Sequence, residues 1–392
     1  MTCIESIRLD GFLSFPPGSP SFELQPLNVL IGPNGSGKSN FIEAFELLAA
    51  APHDFAAAAR AGGVEEWLWK GAAGTDQARI EIVLGSDSPT RKALRYGLEF
   101  GAVARRVEVL DEILEEVEAT PGKDDVFFYY RFQQGHPAIN VRQEDGDSVK
   151  RFLQRQNLRP DQSVFAQRKD PDLYPEVTWA GRKLSALKTF RNWTFGLEAP
   201  LRQPQRADLP DDLLLPDNRN LALVLNYIEH AGERQLEERM RSFFPRFERL
   251  TTRVAGGAVQ FYLHETGFGS PVPATRLSDG TVRFMALLAT LLNPSPPPLV
   301  CIEEPELGLH PDAVSSVGSM LVEASEGMQL IVTTHSDALV SALSAHAGSV
   351  VVCERPGAGT DMRRLDPGEL ATWLDEYTLG DVWRMGALGG NP

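Results

Sequence analysis

Eight residues, Gly32-Pro-Asn-Gly-Ser-Gly-Lys-Ser39, constrain this chain more than any other feature. They fit G-x-x-x-x-G-K-[ST] throughout. Before them stands LNVLI (Leu27–Ile31), a short apolar run ending at glycine. After them SNFIEAFELLAAA places Phe41, Phe45 and Leu48 at helical spacing, with Glu43 and Glu46 off that side. Strand, glycine-rich loop and helix, in that order, are what a phosphate-binding loop requires. Glycines let backbone N–H groups turn inward on phosphate oxygens, and the positive end of the helix aims at the same place. The pattern assigns Gly32, Pro33, Asn34, Gly35, Ser36, Gly37, Lys38, Ser39 and Asn40 to a bound nucleotide. Lys38 reaches its β/γ-phosphates and the Ser39 hydroxyl ligates Mg²⁺. A glycine-rich turn matching by chance is the alternative, and the flanking strand and helix argue against it.

The last third alternates strands and helices. VRFMALLATLL reads as a helix ended by NPSPPP, LVCIEE as a buried strand, VSSVGSMLVEAS as a helix, and LIVTTH and SVVVCER as strands. Such alternation predicts a mainly parallel α/β sheet. The strand Leu299–Glu304 ends in two carboxylates at the sheet edge where α/β proteins hold ligands. Glu303 is expected in the Mg²⁺ shell, directly or through water, and Glu304 to accept a proton from the attacking water or to orient it. A solvated acid pair is the plain alternative. His335 closes Thr333-Thr334-His335 and is assigned to the γ-phosphate, although a lone histidine is more often structural. Ser278, Asp279 and Gly280, in RLSDGT ahead of an apolar helix, offer two readings. One is a helix cap; the other is a second phosphate clamp built from the Ser278 hydroxyl and the Gly280 N–H.

Elsewhere the reading is coarser. Ile4–Leu9 and Phe22–Leu24 look like strands around the turn FPPGSP, followed by Ala78–Leu84, Ala93–Phe100 and Phe127–Phe132. Roughly 135–270 is polar and proline-punctuated, with helices near Leu221–His230 and Arg234–Phe243 and no sustained heptads. Four segments follow: 1–105, the N-terminal part of a catalytic core; 106–270, an inserted and partly helical lobe; 271–365, the rest of the core; and 366–392, a helical tail ending in a flexible Gly-Gly-Asn.

Charge and cysteines limit the partners. The net charge of −15 excludes a surface basic all over. The charge is uneven, however: Glu108–Glu118 is acidic, and 150–206 carries 12 Lys/Arg against 5 Asp/Glu. That segment is a candidate for nucleic-acid phosphates, a solvated or internally paired face being the alternative. Cys3, Cys301 and Cys353 lack metal or disulfide spacing. The longest apolar run, Phe284–Leu292, is too short to span a membrane, and the N-terminus lacks a secretory pattern. A cytoplasmic protein without membrane partners is expected.

Taken in order, the loop at 32–39, LSDG at 277–280, the strand with EE at 299–304, EPELGLHP and TTHS resemble the motif set of ABC-type ATPase heads in the SMC/RecF/OLD branch. These are the Walker A loop, signature, Walker B and switch histidine of that set. The chain is also similar to bacterial stand-alone AAA_21/AAA15-like ATPases, SVFAQRKDPDLYPEV and YTLGDVWRMGALGG included. The resemblance implies an ABC/SMC-like P-loop head with an antiparallel N-terminal β-subdomain and an inserted helical lobe. It implies ATP and Mg²⁺ as cofactors, with Lys38, Glu304 and His335 in hydrolysis. It also implies a head-to-tail homodimer in which Ser278 and Gly280 of one copy meet the γ-phosphate held by the other. Glu306–Pro311 looks like the loop that crosses such an interface. A glutamine linking Mg²⁺ to the insertion is expected, with Gln167 the candidate and Gln162 the fallback. Departures are Glu303 where aspartate is usual, no glutamine after LSDG, and Leu13 where a basic residue is common.

Three functions fit. The first is an ATP-hydrolysing switch on nucleic acid, in DNA repair or anti-phage defence. The second is a low-turnover, ATP-gated scaffold for a separately encoded effector such as a TOPRIM-type nuclease, since the 57 residues after His335 are too few for that domain. A transporter ATPase fits least.

Overall fold

The computed structural model describes all residues except 1, 59–62, 73, 89–90, 120–121, 123–124, 134–135, 143–147, 153–157, 192, 232–233 and 391–392. The chain forms two compact units. The first comprises Met1–Lys188, Val351–Arg364 and Gly389–Pro392, and the second Thr189–Val350 and Leu365–Leu388.

The first unit begins with β1 (Ile4–Asp10), β2 (Phe22–Glu23), β3 (Leu27–Ile31), β4 (Gln77–Leu84), β5 (Leu94–Val103), β6 (Arg106–Glu116), β7 (Phe128–Gln133), β8 (His136–Arg142) and β9 (Ser148–Phe152). All but β3 join one antiparallel sheet ordered β2-β1-β4-β5-β6-β7-β8-β9. β4 shows why: Ile80, Ile82 and Leu84 alternate inward while Arg79 and Glu81 face out. The boundary expected at 105/106 falls inside the β5–β6 hairpin, where Val103 pairs with Arg106. The sheet then continues to Phe152, through residues the sequence placed in a partly helical lobe. The acidic run is strand β6, and its carboxylates are met from neighbouring strands or their ends. Arg95 and Arg131 both reach Glu115, at 3.2 and 3.1 Å, and Lys92 reaches Glu116 at 2.5 Å. Cross-strand pairing of this kind has no signature in local composition.

β3 is buried at all five positions, as an interior strand must be. It feeds α1 (Lys38–Ala50). Three further helices complete this stretch: α2 (Phe55–Ala58), α3 (Val164–Gln167) and α4 (Pro175–Ser185). α4 is opened by Pro175 at its first turn.

In the second unit β10 (Lys188–Phe190) leads to β11 (Gln205–Arg206), α5 (Leu221–His230), α6 (Arg234–Phe243), β12 (Phe247–Ala255), β13 (Ala258–Glu265) and β14 (Val272–Pro273). The strands β11-β13-β12, with β14 on β13, make a small antiparallel sheet. Then come α7 (Asp279–Leu291), β15 (Leu299–Glu303), α8 (Pro311–Ala324), β16 (Gln329–Thr333) and α9 (Asp337–Ala342). β15 and β16 pair in parallel from Leu299↔Gln329 to Glu303↔Thr333, with β10 on the other side of β15. α7 is buried from Val282 to Leu291, so it is a core helix rather than a surface one.

The chain returns to the first unit as β17 (Val350–Glu354), the neighbour of β3, and β18 (Asp361–Arg364). It re-enters the second for α10 (Pro367–Leu374) and α11 (Leu379–Arg384), the latter started by a Thr378/Asp381 capping box. The end of the tail corrects the expected flexible Gly-Gly. The Gly390 N–H donates to Glu354 Oε1 at 2.6 Å, and a Cβ on Gly390 would lie 3.3 Å from Gly32 Cα. Asn391 lies outside the described residues. Among the described residues, no helix is long and apolar enough to cross a membrane.

Candidate functional site

In the first unit the loop Gly32–Ser39 depends on two glycines pressed against backbone and side chains. Gly32 has φ +146°, and a Cβ there would lie 2.1 Å from Cys353 O. Gly37, the N-cap of α1, has φ +104°, and a Cβ would lie 2.1 Å from Thr360 Oγ1. Thr360 Oγ1 lies 2.7 Å from Ser14 Oγ and 2.9 Å from Ser36 O, so Ser14 and Thr360 form the floor of the loop. Lys38 is buried and its Nζ donates to Gly32 O at 2.7 Å and Pro33 O at 3.0 Å. The loop thus closes on its own lysine. Ser36 Oγ is buried without a partner among the described residues, whereas Asn34, Gly35 and Ser39 are exposed. Leu13, where a basic residue is common, holds φ +49° and donates its N–H to Trp67 O at 2.8 Å.

The second unit gathers the acids. Glu303 ends β15, and Glu304 follows in left-handed backbone, φ +45°, its N–H donating to Thr333 O at 3.0 Å. A non-glycine residue held there stores on the order of 1 kcal/mol or more of strain, which is found mostly at functional positions. His335 Nε2 stands 3.8 Å from Glu304 Oε1. A further carboxylate, whose role was not separated from its loop, holds the segment before His335: Glu306 Oε1 accepts from Thr334 Oγ1 at 2.5 Å and from the His335 N–H at 3.1 Å. Burial pushes the Glu306 carboxyl above its ordinary pKa. Arg283 donates from Nη2 to Glu304 O at 3.3 Å and lies over the rings of Phe195 and Trp193. Burial lowers its pKa, opposed by Glu306 and Glu304.

Glu303 is split in its surroundings. Oε2 accepts from Arg191 Nε at 3.2 Å, while Oε1 is buried with no partner among the described residues. An orphaned carboxylate oxygen suits a hard cation. No group of three or more His, Cys, Asp or Glu among the described residues forms a metal cage. Mg²⁺ commonly takes one or two carboxylates together with nucleotide phosphates and water.

Around the signature the cap reading is realised. Ser278 caps α7, its Oγ accepting from the Thr281 N–H at 3.1 Å. Asp279 is held in an ion pair with Arg202. Arg202 is fully buried and also donates to Phe195 O (2.7 Å), Leu277 O (2.6 Å) and Ala274 O (3.0 Å). A Cβ on Gly280 would come within 3.0 Å of Gly308 O.

The Gln167 amide is bonded within its own loop: its Oε1 accepts from the Arg159 N–H at 2.7 Å and its Nε2 donates to Gln162 O at 2.9 Å. Gln162 and Gln167 line a cavity of about 480 Å³ with Glu108, Glu112 and Tyr130. The basic segment is partly paired within the chain. Lys183 donates to Gly85 O at 2.7 Å and stacks on Trp179, and Arg191 is on Glu303. Positions 153–157 lie outside the described residues. The side chains of Lys169 and Arg182, both exposed residues, make no hydrogen bond or ion pair among the described residues, and the two flank a cavity of about 240 Å³ with His53 and Ser185.

Residues 27–341 match the AAA_21 family, described as "AAA domain, putative AbiEii toxin, Type IV TA system". The chain belongs to this family. The AAA_21 match takes in the loop strand, signature, acid pair and His335. Part of the chain is also similar to "Old nuclease" of Escherichia phage P2, 31% identical over 166 aligned residues, covering 35% of this chain and 28% of that protein. The match thus spans under a third of that relative's length. Two solved structures share the fold. One is the SmcHead bound to the C-winged helix domain of ScpA, with a TM-score of 0.58 and 15% identity over 94% of this chain and 99% of that one. The other is the Smc head domain with an extended coiled coil bound to the C-terminal domain of ScpA derived from Pyrococcus furiosus, with a TM-score of 0.59 and 14% identity over 96% and 99%. The AAA_21 chain therefore has the fold of an SMC head.

Proposed function

We propose that the chain is a Mg²⁺-dependent ATPase working as an ATP-gated, head-to-tail homodimer. The observation that carries the reading is Glu304, held in left-handed backbone beside His335 at the end of an acid-tipped strand. A carboxylate so held is fixed in direction before substrate arrives, which is what a group orienting water requires. Gly32–Asn40 take the triphosphate, and Lys38 leaves its carbonyl partners for the β/γ-phosphates. Ser39 and Glu303 hold Mg²⁺, which when bound neutralises phosphate charge. Glu304 orients or deprotonates the attacking water. His335, its backbone fixed by Glu306, reports the γ-phosphate. Ser278 and Gly280 of a second copy complete the clamp.

The process proposed is nucleic-acid maintenance or anti-phage defence, supported by the name of the phage relative and by the toxin–antitoxin wording of the family. A scaffold for a separately encoded nuclease is the second reading, favoured by the partial match to a nuclease much longer than the matched region. An ATPase assay with and without DNA separates the two: stimulation supports the first, slow DNA-indifferent turnover the second. In the same assay Lys38→Ala should lose nucleotide binding. Glu304→Gln should bind ATP yet turn over about 100-fold or more slowly. Full turnover in Glu304→Gln would sink the assignment.

A further inference from the structure

The cation that Glu303 meets in this structure comes from the protein itself. Arg191 follows β10, the strand beside β15, and its Nε lies 3.2 Å from Glu303 Oε2. Both side chains are largely withdrawn from solvent, at 21% and 17% exposure, so their attraction is poorly screened. A guanidinium in that place satisfies one oxygen of the carboxylate and repels a dication approaching the same group.

The segment carrying Arg191 does not stop there. Two and four residues on, Trp193 and Phe195 stack on each other, ring centroids 5.5 Å apart, and cover the Arg283 guanidinium that bonds Glu304 O. Phe195 O is bonded in turn by buried Arg202, which fastens Leu277 O and Asp279 in the signature. The described residues of 190–202 therefore form one strap, within the second unit, that touches Glu303 and the signature loop and reaches Glu304 through Arg283.

We propose that Arg191 is a built-in placeholder for the metal on Glu303, and that its displacement on metal loading moves the strap at Trp193. This rests on the reading of Glu303 as a Mg²⁺ ligand. It makes Arg191 a positioning residue that sets how tightly the metal binds and signals its arrival.

The test uses Mn²⁺ as the probe, with a non-hydrolysable ATP analogue bound to the full chain, and free Mn²⁺ read by electron paramagnetic resonance. Arg191→Met should bind Mn²⁺ about fivefold or more tightly, because a competing charge is gone, while Arg191→Lys should stay within about twofold of the parent. A purely structural role for Arg191 predicts the opposite sign, since losing it would only loosen the site. Mn²⁺ should also change tryptophan emission in the parent and not in Trp193→Phe. Unchanged or weaker Mn²⁺ binding in Arg191→Met, or an emission change that survives in Trp193→Phe, overturns the proposal. Glu303→Gln separates the two failures. If it abolishes Mn²⁺ binding while Arg191→Met has no effect, only the placeholder fails; if it leaves Mn²⁺ binding intact, the metal reading of Glu303 fails and the placeholder with it.

Discussion

At the scale of single residues, Glu304 holds a conformation that its side chain disfavours and its position requires. Glycine relieves the backbone conflict at φ +45°. Glu304→Gly should therefore raise unfolding stability by roughly 0.5–1 kcal/mol in denaturant titration while abolishing ATP turnover. A destabilised Glu304→Gly would show that the φ value carries no strain. Glu112 supports a second expectation. It is fully buried, accepting from Tyr96 OH (2.9 Å), Ser163 Oγ (2.6 Å) and the Val164 N–H (2.9 Å), and burial pushes its pKa from 4.5 up to about 7 despite these bonds. A carboxyl raised on folding favours the native state when protonated. Its contribution is full below about pH 4.5 and is lost as pH rises through about 7, on the order of 1–3 kcal/mol. Glu112→Gln should flatten stability between those values, and melting curves taken across the window check it.

At the scale of elements, the phosphate loop separates glycines that cannot change from one that can. Alanine at Gly32 places a Cβ 2.1 Å from Cys353 O, a backbone atom with nowhere to go, whereas Gly35 (φ +77°) has open space around it. Gly32→Ala should cost about 3 kcal/mol or more, and Gly35→Ala about 1 kcal/mol from backbone conformation alone. Similar losses in both would mean the loop rearranges freely. Elements of this kind were legible because their signals are local. A pentapeptide apolar at four of its five positions, a glycine-rich octapeptide and helical spacing located β3, its loop and α1, and EE after LVCI located the acids at the end of β15. What stayed hidden depends on neighbours distant in sequence. β6 looks like an acidic loop until Lys92, Arg95 and Arg131 stand beside it. Arg202, in a proline-flanked run, gives no hint that it lies fully buried under the signature. Lys183 and Arg191 read as a basic face, and their partners, Gly85 O and Glu303, lie about 100 residues away.

At the scale of the whole molecule, the proposed dimer has to bring together two chains of net charge −15 each. Two copies carrying that charge repel at long range, so association needs a specific contact, and salt should strengthen it. ATP held by one copy and the Ser278–Gly280 clamp of the other would supply that contact, with helix α7 of each copy directing its N-terminus at phosphate. In the proposed dimer, hydrolysis would remove the ligand both copies share. Blocking hydrolysis should therefore trap the pair: Glu304→Gln with Mg²⁺ and ATP should elute in gel filtration at about twice the 43.1 kDa chain mass, and as a monomer without nucleotide. Ser278→Arg added to Glu304→Gln should restore the monomer while leaving ATP binding in place. Ser278 is an exposed cap, and its loss costs the helix only about 1 kcal/mol. A dimer that survives Ser278→Arg would have to be built on another surface, and the signature would then be no more than the start of a core helix.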